Sequence, residues 1–156
     1  LLRSTACRRR RRCPGRRRKA GLTLAMDPRA RGDYAGTMMS PSLNVLIIED
    51  EPIIAMMLAD MLDLLGHRVA GHAETLEAAY RLIEAGRFDA AILDVYLAGQ
   101  PVWPIAERLR ADGCPFVLAT GAGRDDLPAA FQDCLVLEKP YDIPGITRAL
   151  ETFCSA

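Results

Sequence analysis

The sequence has few of the residues that build zinc sites and disulfide frameworks. Its five cysteines (Cys7, Cys13, Cys114, Cys134 and Cys154) are scattered, no Cys-x-x-Cys pair occurs, and only His67 and His72 supply imidazoles. An odd number of dispersed thiols with so few histidines argues against structural zinc and reads as reduced thiols of the cytosol. Long apolar runs are also missing. None approaches the roughly 20 residues that cross a bilayer, so no membrane-spanning helix is expected. Net charge is absent as well, with 20 Lys+Arg against 20 Asp+Glu. That balance hides two opposite halves. Residues 1–40 carry twelve basic residues against Asp27 and Asp33, or +10; the remaining eight basic and eighteen acidic residues give 41–156 a charge of −10. The acidic half argues against a nucleic-acid-binding domain.

Residues 1–42 hold Arg8 to Arg12 and Arg16-Arg17-Arg18-Lys19 with almost no apolar periodicity. Self-repelling charge without a face to bury predicts a disordered basic tail. Gly21-Leu22-Thr23-Leu24-Ala25-Met26 is too short and too polar at its flanks for the apolar core of a secretory signal. A nucleic-acid arm and a membrane-surface patch compete with a plainer reading, which we adopt as the expectation. In that reading the tail is an upstream extension of a protein that starts at Met38 or Met39, and residues 43–156 form the single folded domain.

Four short apolar runs each end in polar residues. They are Val45 to Ile48 before Glu49-Asp50, Ala90 to Leu93 before Asp94, Phe116 to Ala119 before Thr120, and Leu135 to Leu137 before Glu138-Lys139-Pro140. Short continuous apolar runs separated by helical patterns read as buried parallel strands. Arg68 to His72 supplies another short strand, with His72 read as structural or solvent-facing. A helix opens at Pro52 and carries Ile54, Met57, Leu58, Met61, Leu62 and Leu65 at helical spacing up to Gly66. Met56, Met57 and Met61 are read as core fillers rather than a soft metal site. Thr75 caps a second helix closed by Gly86. A loop through Gly99-Gln100-Pro101 leads to a third helix near Pro104, and the last runs from about Ile143 to Phe153. Residues 121–131 offer at most a short helix, with glycines before it and Pro128 inside it. The fold class that results is α/β: a doubly wound five-stranded parallel sheet, (βα)5 and flavodoxin-like.

Ligands of such sheets bind beyond the carboxyl ends of the strands. Glu49, Asp50, Asp94, Thr120 and Lys139 would therefore meet on one rim. Three acids, a hydroxyl and an ammonium together suit a divalent metal and a phosphoryl group. Taken singly, the acids could cap a helix, Lys139 could be a surface lysine and Thr120 a strand-end hydroxyl. Asp94 is harder to dismiss, because a charge closing a buried strand is costly unless paired.

Glu49-Asp50-Glu51-Pro52, Asp94 at a strand end, Thr120-Gly121 and Lys139-Pro140-Tyr141 resemble, in that order, the receiver domain of two-component response regulators over residues 43–154. Pro115 to Gly121 and Val102 to Ala106 further resemble stand-alone receivers marked by a Phe-x-x-Ala-Thr-Gly strand, whose partners are commonly histidine kinases of the HWE type. The resemblance implies a cytoplasmic bacterial phosphorelay protein, with neither a DNA-binding domain nor a membrane anchor, and with an unnamed downstream partner. It also implies a phosphoacceptor rather than an enzyme with an external substrate. Asp94 would attack a phosphohistidine to form an acyl phosphate. Mg²⁺, with Mn²⁺ as a substitute, would sit on Asp50 and Asp94, on Glu49 through water, and on the backbone carbonyl of Tyr96. Lys139 would meet one phosphoryl oxygen and the Thr120 hydroxyl another.

Three positions depart from the family pattern. Val136 stands where receivers usually carry an aromatic switch residue, Ala122 where the subgroup has tyrosine, and Tyr96 two residues past the acceptor. Two other functions compete. A degenerate receiver would bind proteins without phosphorylation. A haloacid-dehalogenase-type phosphatase would need a second aspartate where Tyr96 stands. A flavodoxin-like cofactor binder lacks the glycine-rich loop after the first strand.

Overall fold

The computed structural model describes residues 41–154. The expectations for the tail as far as residue 40 lie outside the described residues. The chain runs β1 (Asn44–Ile48), α1 (Pro52–Leu64), β2 (Arg68–Ala73), α2 (Leu76–Ala85) and β3 (Ala90–Asp94). A small ribbon of β4 (Tyr96–Leu97) and β5 (Gln100–Pro101) follows, then α3 (Trp103–Ala111), β6 (Phe116–Thr120), β7 (Leu135–Glu138) and α4 (Ile143–Cys154). Five strands form one sheet in the order β2-β1-β3-β6-β7, and all its pairings are parallel.

Both faces of this sheet are covered, which explains the unbroken apolar runs. Successive side chains of a strand point to opposite faces. Val45, Ile47, Ile92, Val117 and Ala119 pack with Ala55, Leu58 and Leu62 of α1 and Ile146, Ala149 and Leu150 of α4. Leu46, Ile48, Ala91, Leu93 and Leu118 instead meet Ala79 and Ile83 of α2 and Ile105, Ala106 and Leu109 of α3. The helices end as their sequences dictate. Thr75 Oγ1 accepts the Ala78 amide at 3.2 Å, and Gly86 closes α2 in the left-handed conformation at φ 61°. Asp142 Oδ1 accepts the Gly145 amide at 2.7 Å at the start of α4.

Three features differ from the sequence expectations. Among the described residues four α-helices form rather than the five of a (βα)5 chain: between β6 and β7, where the sequence allows at most a short helix, there are two single 3₁₀ turns, Arg124–Asp126 and Ala129–Phe131. Glycine costs about 1 kcal/mol and proline about 3 kcal/mol in a helix interior, and this segment carries Gly121, Gly123 and Pro128. Side chains hold it instead. Phe131 stacks on Trp103 with ring centroids 5.1 Å apart. Arg110 also lies over the Phe131 ring, with Cζ 4.8 Å from its centroid, and donates to the Ala130 carbonyl at 2.8 Å.

Second, the loop after β3 is the β4–β5 ribbon, turned by Ala98 and Gly99 with positive φ at both, the conformation that suits a two-residue hairpin. Third, Met56 and Met57 do not fill core. They lie on the outer face of α1, at 63% and 37% exposure, with Ile53 and Leu64. Cys134 is a free thiol, as expected.

Ahead of β1, Ser42 Oγ donates to the Gly66 carbonyl at 2.7 Å, and the Leu43 amide donates to His67 Nδ1 at 3.2 Å. These bonds tie the entry into β1 to the turn after α1. His67 is buried, and burial lowers its pKa.

Candidate metal and phosphoryl site

The site forms at the carboxyl ends of β1, β3 and β7, where chain connections leave the sheet in opposite directions on either side of the β1–β3 pair. Glu49 and Asp50 follow β1, Asp94 ends β3, and Lys139 follows β7. One carboxylate oxygen from each of Glu49, Asp50 and Asp94 lies within 4.8 Å of the other two. Lys139 Nζ bridges the group, donating to Asp94 Oδ2 at 2.7 Å and to Glu49 Oε2 at 3.0 Å.

Each acid is held differently. Glu49 is only 1% exposed. Its Oε1 accepts the Glu51 amide at 3.3 Å, while its Oε2 takes Lys139 and, at 3.4 Å, the Tyr141 hydroxyl. Burial raises the Glu49 pKa above the usual carboxylate range, and the Asp94 charge adds to it, although Lys139 pulls the other way. Burial also works against the Lys139 ammonium, but its hydrogen bonds to Asp94 and Glu49 outweigh that and leave its pKa raised. Asp50 Oδ2 accepts the Ala98 amide at 2.8 Å, so the positive-φ turn of the ribbon holds an acid of the cluster. His72 Nε2 sits 2.7 Å from the Glu49 carbonyl, a structural contact as expected.

Thr120 ends β6 beside β3 and is buried. Its hydroxyl accepts the Ala122 amide at 3.2 Å. The Tyr96 amide lies 3.4 Å from Asp94 Oδ1, which brings its backbone to the cluster while its side chain is exposed. Tyr141 is the functional candidate that the sequence reading passed over. In the sequence it only closes Lys139-Pro140-Tyr141, and nothing in the linear pattern says that the ring turns inward. Burial, with the Glu49 and Asp94 charges, pushes its phenol far above the ordinary value, so the hydroxyl stays a donor.

The arrangement suits a small hard cation. Three carboxylates supply oxygen ligands and more negative charge than one ammonium offsets. It also places the Asp94 carboxylate beside the Lys139 ammonium at a sheet rim.

Comparison with known proteins points to one family. A family model described as the response regulator receiver domain matches residues 45–151. The solution structure of SdrG from Sphingomonas melonis Fr1 is 43% identical with a TM-score of 0.65, covering 72% of this chain and 96% of SdrG. The BeF3-activated conformation of SdrG from Pseudomonas melonis Fr1 is 42% identical with a TM-score of 0.63, covering 71% of this chain and 95% of that one. The transcriptional regulatory protein PdtaR of Mycobacterium tuberculosis is 32% identical over 111 residues, which are 69% of this chain and 54% of PdtaR. The chain thus spans about half the length of the curated relatives it matches.

Proposed function

We propose that this chain, which belongs to the response regulator receiver family, takes a phosphoryl group from a kinase phosphohistidine onto Asp94 and relays the change to a protein partner. The observation that carries this reading is the Lys139 bridge, 2.7 Å to Asp94 and 3.0 Å to Glu49, beside an Asp50 within the same cluster. An Asp94 oxygen attacks phosphorus, the new P–O bond forms as the P–N bond breaks, and the leaving imidazole takes a proton from solvent. A carboxylate meeting an anionic phosphoryl group needs its charge neutralised. Lys139 supplies part of that by moving from the carboxylates to a phosphoryl oxygen, and the Thr120 hydroxyl turns to another. Mg²⁺, or Mn²⁺ in its place, would be held by Asp50, Asp94, Glu49 and the Tyr96 carbonyl, and would supply the remaining charge neutralisation.

In this reading the chain is a phosphoacceptor that turns over only its own phosphoryl group. Nothing at Tyr96 serves as the second acid a dehalogenase-type phosphatase needs, since its side chain is an exposed phenol. We take the kinase to be of the HWE type on the Phe116 to Gly121 pattern, and the setting to be cytoplasmic. Among the described residues, no helix is long and apolar enough to cross a membrane. The test is incubation with acetyl phosphate and Mg²⁺, followed by intact-mass measurement. Wild type should gain one acid- and base-labile phosphoryl group and Asp94→Asn none. Labelling that persists in Asp94→Asn refutes the acceptor assignment.

A further inference from the structure

Glu49 differs from the other acids of the cluster in being fully enclosed, whereas Asp50 and Asp94 are half-buried. The terminal torsion of a glutamate is broad and roughly two-fold, so its partners decide which oxygen faces which way. Oε1 is held by the Glu51 amide. Oε2 has two donors, the Lys139 ammonium and the Tyr141 hydroxyl. The ammonium is shared with Asp94, and in the proposed reaction it leaves for a phosphoryl oxygen. The phenol has a fixed base: its ring is buried in the cluster formed with β1, α1 and α4. From that anchor its hydroxyl reaches the one acid that solvent does not hydrate.

We propose that Tyr141 is a positioning residue for the metal site, its hydroxyl fixing Glu49 Oε2 so that the carboxylate keeps its orientation when Lys139 withdraws. This deepens the proposed function and rests on it. Groups that orient metal ligands are commonly worth tenfold or more in affinity. At 3.4 Å the contact is longer than an optimal O–H···O bond, so the expected effect lies toward the lower end.

The test is calorimetric titration of Mg²⁺ into the full chain and into three variants, with metal-free melting temperatures measured in parallel. Tyr141→Phe keeps the ring and should weaken Mg²⁺ binding about three- to tenfold while leaving the metal-free melting temperature nearly unchanged. Leu150→Val, in the same buried cluster, should lower the melting temperature and leave affinity alone. Asp50→Asn should lose affinity and so reports on the site itself. Unchanged affinity in Tyr141→Phe, with Asp50→Asn impaired, overturns the role of Tyr141 alone. Affinity that falls equally in Tyr141→Phe and Leu150→Val also overturns it, by showing a general packing effect. Absent binding in wild type, or undiminished binding in Asp50→Asn, removes the metal site and the proposal together.

Discussion

The Lys139 ammonium stands 2.7 Å from Asp94 Oδ2 although β6 lies between their strands. Lys139 leaves the end of β7, and its backbone amide donates to the Thr120 carbonyl at 2.9 Å. The backbone is thus pinned to β6 while the long side chain crosses β6 to the acids on β1 and β3. Without a metal, Glu49 and Asp94 share that single ammonium.

Lys139→Ala should therefore destabilise the metal-free protein by about 1–3 kcal/mol, the usual penalty for stranding a buried charged acceptor. Saturating Mg²⁺ should narrow the difference from wild type, because bound cation restores the lost positive charge. Urea unfolding with and without Mg²⁺ measures both quantities. A deficit that does not shrink with Mg²⁺ would show that Lys139 and the cation answer to different groups.

Asp50→Asn should weaken Mg²⁺ and Mn²⁺ binding by tenfold or more, about 1.4 kcal/mol, through loss of one hard anionic ligand. The amide oxygen can still accept from Ala98, as Asp50 Oδ2 does at 2.8 Å, so the β4–β5 turn should persist. Metal titration together with the amide chemical shift of Ala98 separates the two effects. An affinity equal to that of wild type would take Asp50 out of the site.

Phosphorylation should act on the first half of the segment between β6 and β7. The Thr120 hydroxyl now accepts from the Ala122 amide, and turning it to a phosphoryl oxygen releases that amide next to the positive-φ Gly123. The second half is pinned by Trp103 and Arg110 against Phe131. With Val136 in place of an aromatic switch, no large ring carries the motion into β7. Hydrogen exchange should change at 121–126 on binding BeF3⁻ and stay constant at 129–134. Equal protection of 121–126 in both states, with a change on another face, contradicts this route.

Stability should fall as pH drops below about 6.5, in part through His67. Its pKa, 6.5 in an unperturbed chain, is lowered in the fold by burial, and its unprotonated Nδ1 accepts the Leu43 amide. The unfolded chain therefore binds the proton first. The stability this group gives is present above its unfolded pKa and is lost as pH falls toward the folded one. Melting temperatures between pH 7.5 and 5.5 should decline less steeply for His67→Gln than for wild type. Equal slopes would assign the acid sensitivity to carboxylates elsewhere.

The strands were legible in the sequence because both faces of the sheet are covered. Val45–Ile48, Ala90–Leu93 and Phe116–Ala119 had to be apolar at every position, and such runs are visible without knowing what covers them. The acids Glu49, Asp50 and Asp94 stood out for the converse reason: charge at the end of a buried strand needs a partner. The caps at Thr75 and Gly86 are likewise local chemistry.

Tertiary structure decided what depended on distant partners. Residues 124–131 form two 3₁₀ turns, a shape that Trp103 and Arg110 of another element hold by gripping Phe131. Met57 fits the helical apolar pattern and Met56 reads with it as a core filler, yet the face they share with Ile53 is exposed. Tyr141 is 92 residues from Glu49 in the chain and 3.4 Å from it in the fold. Periodicity and turn chemistry act over a few residues, so the chain alone marked the five strands of the parallel sheet, while the β4–β5 ribbon read as a loop. Which side chains meet across that rim is fixed by strand order and packing, which no local pattern encodes.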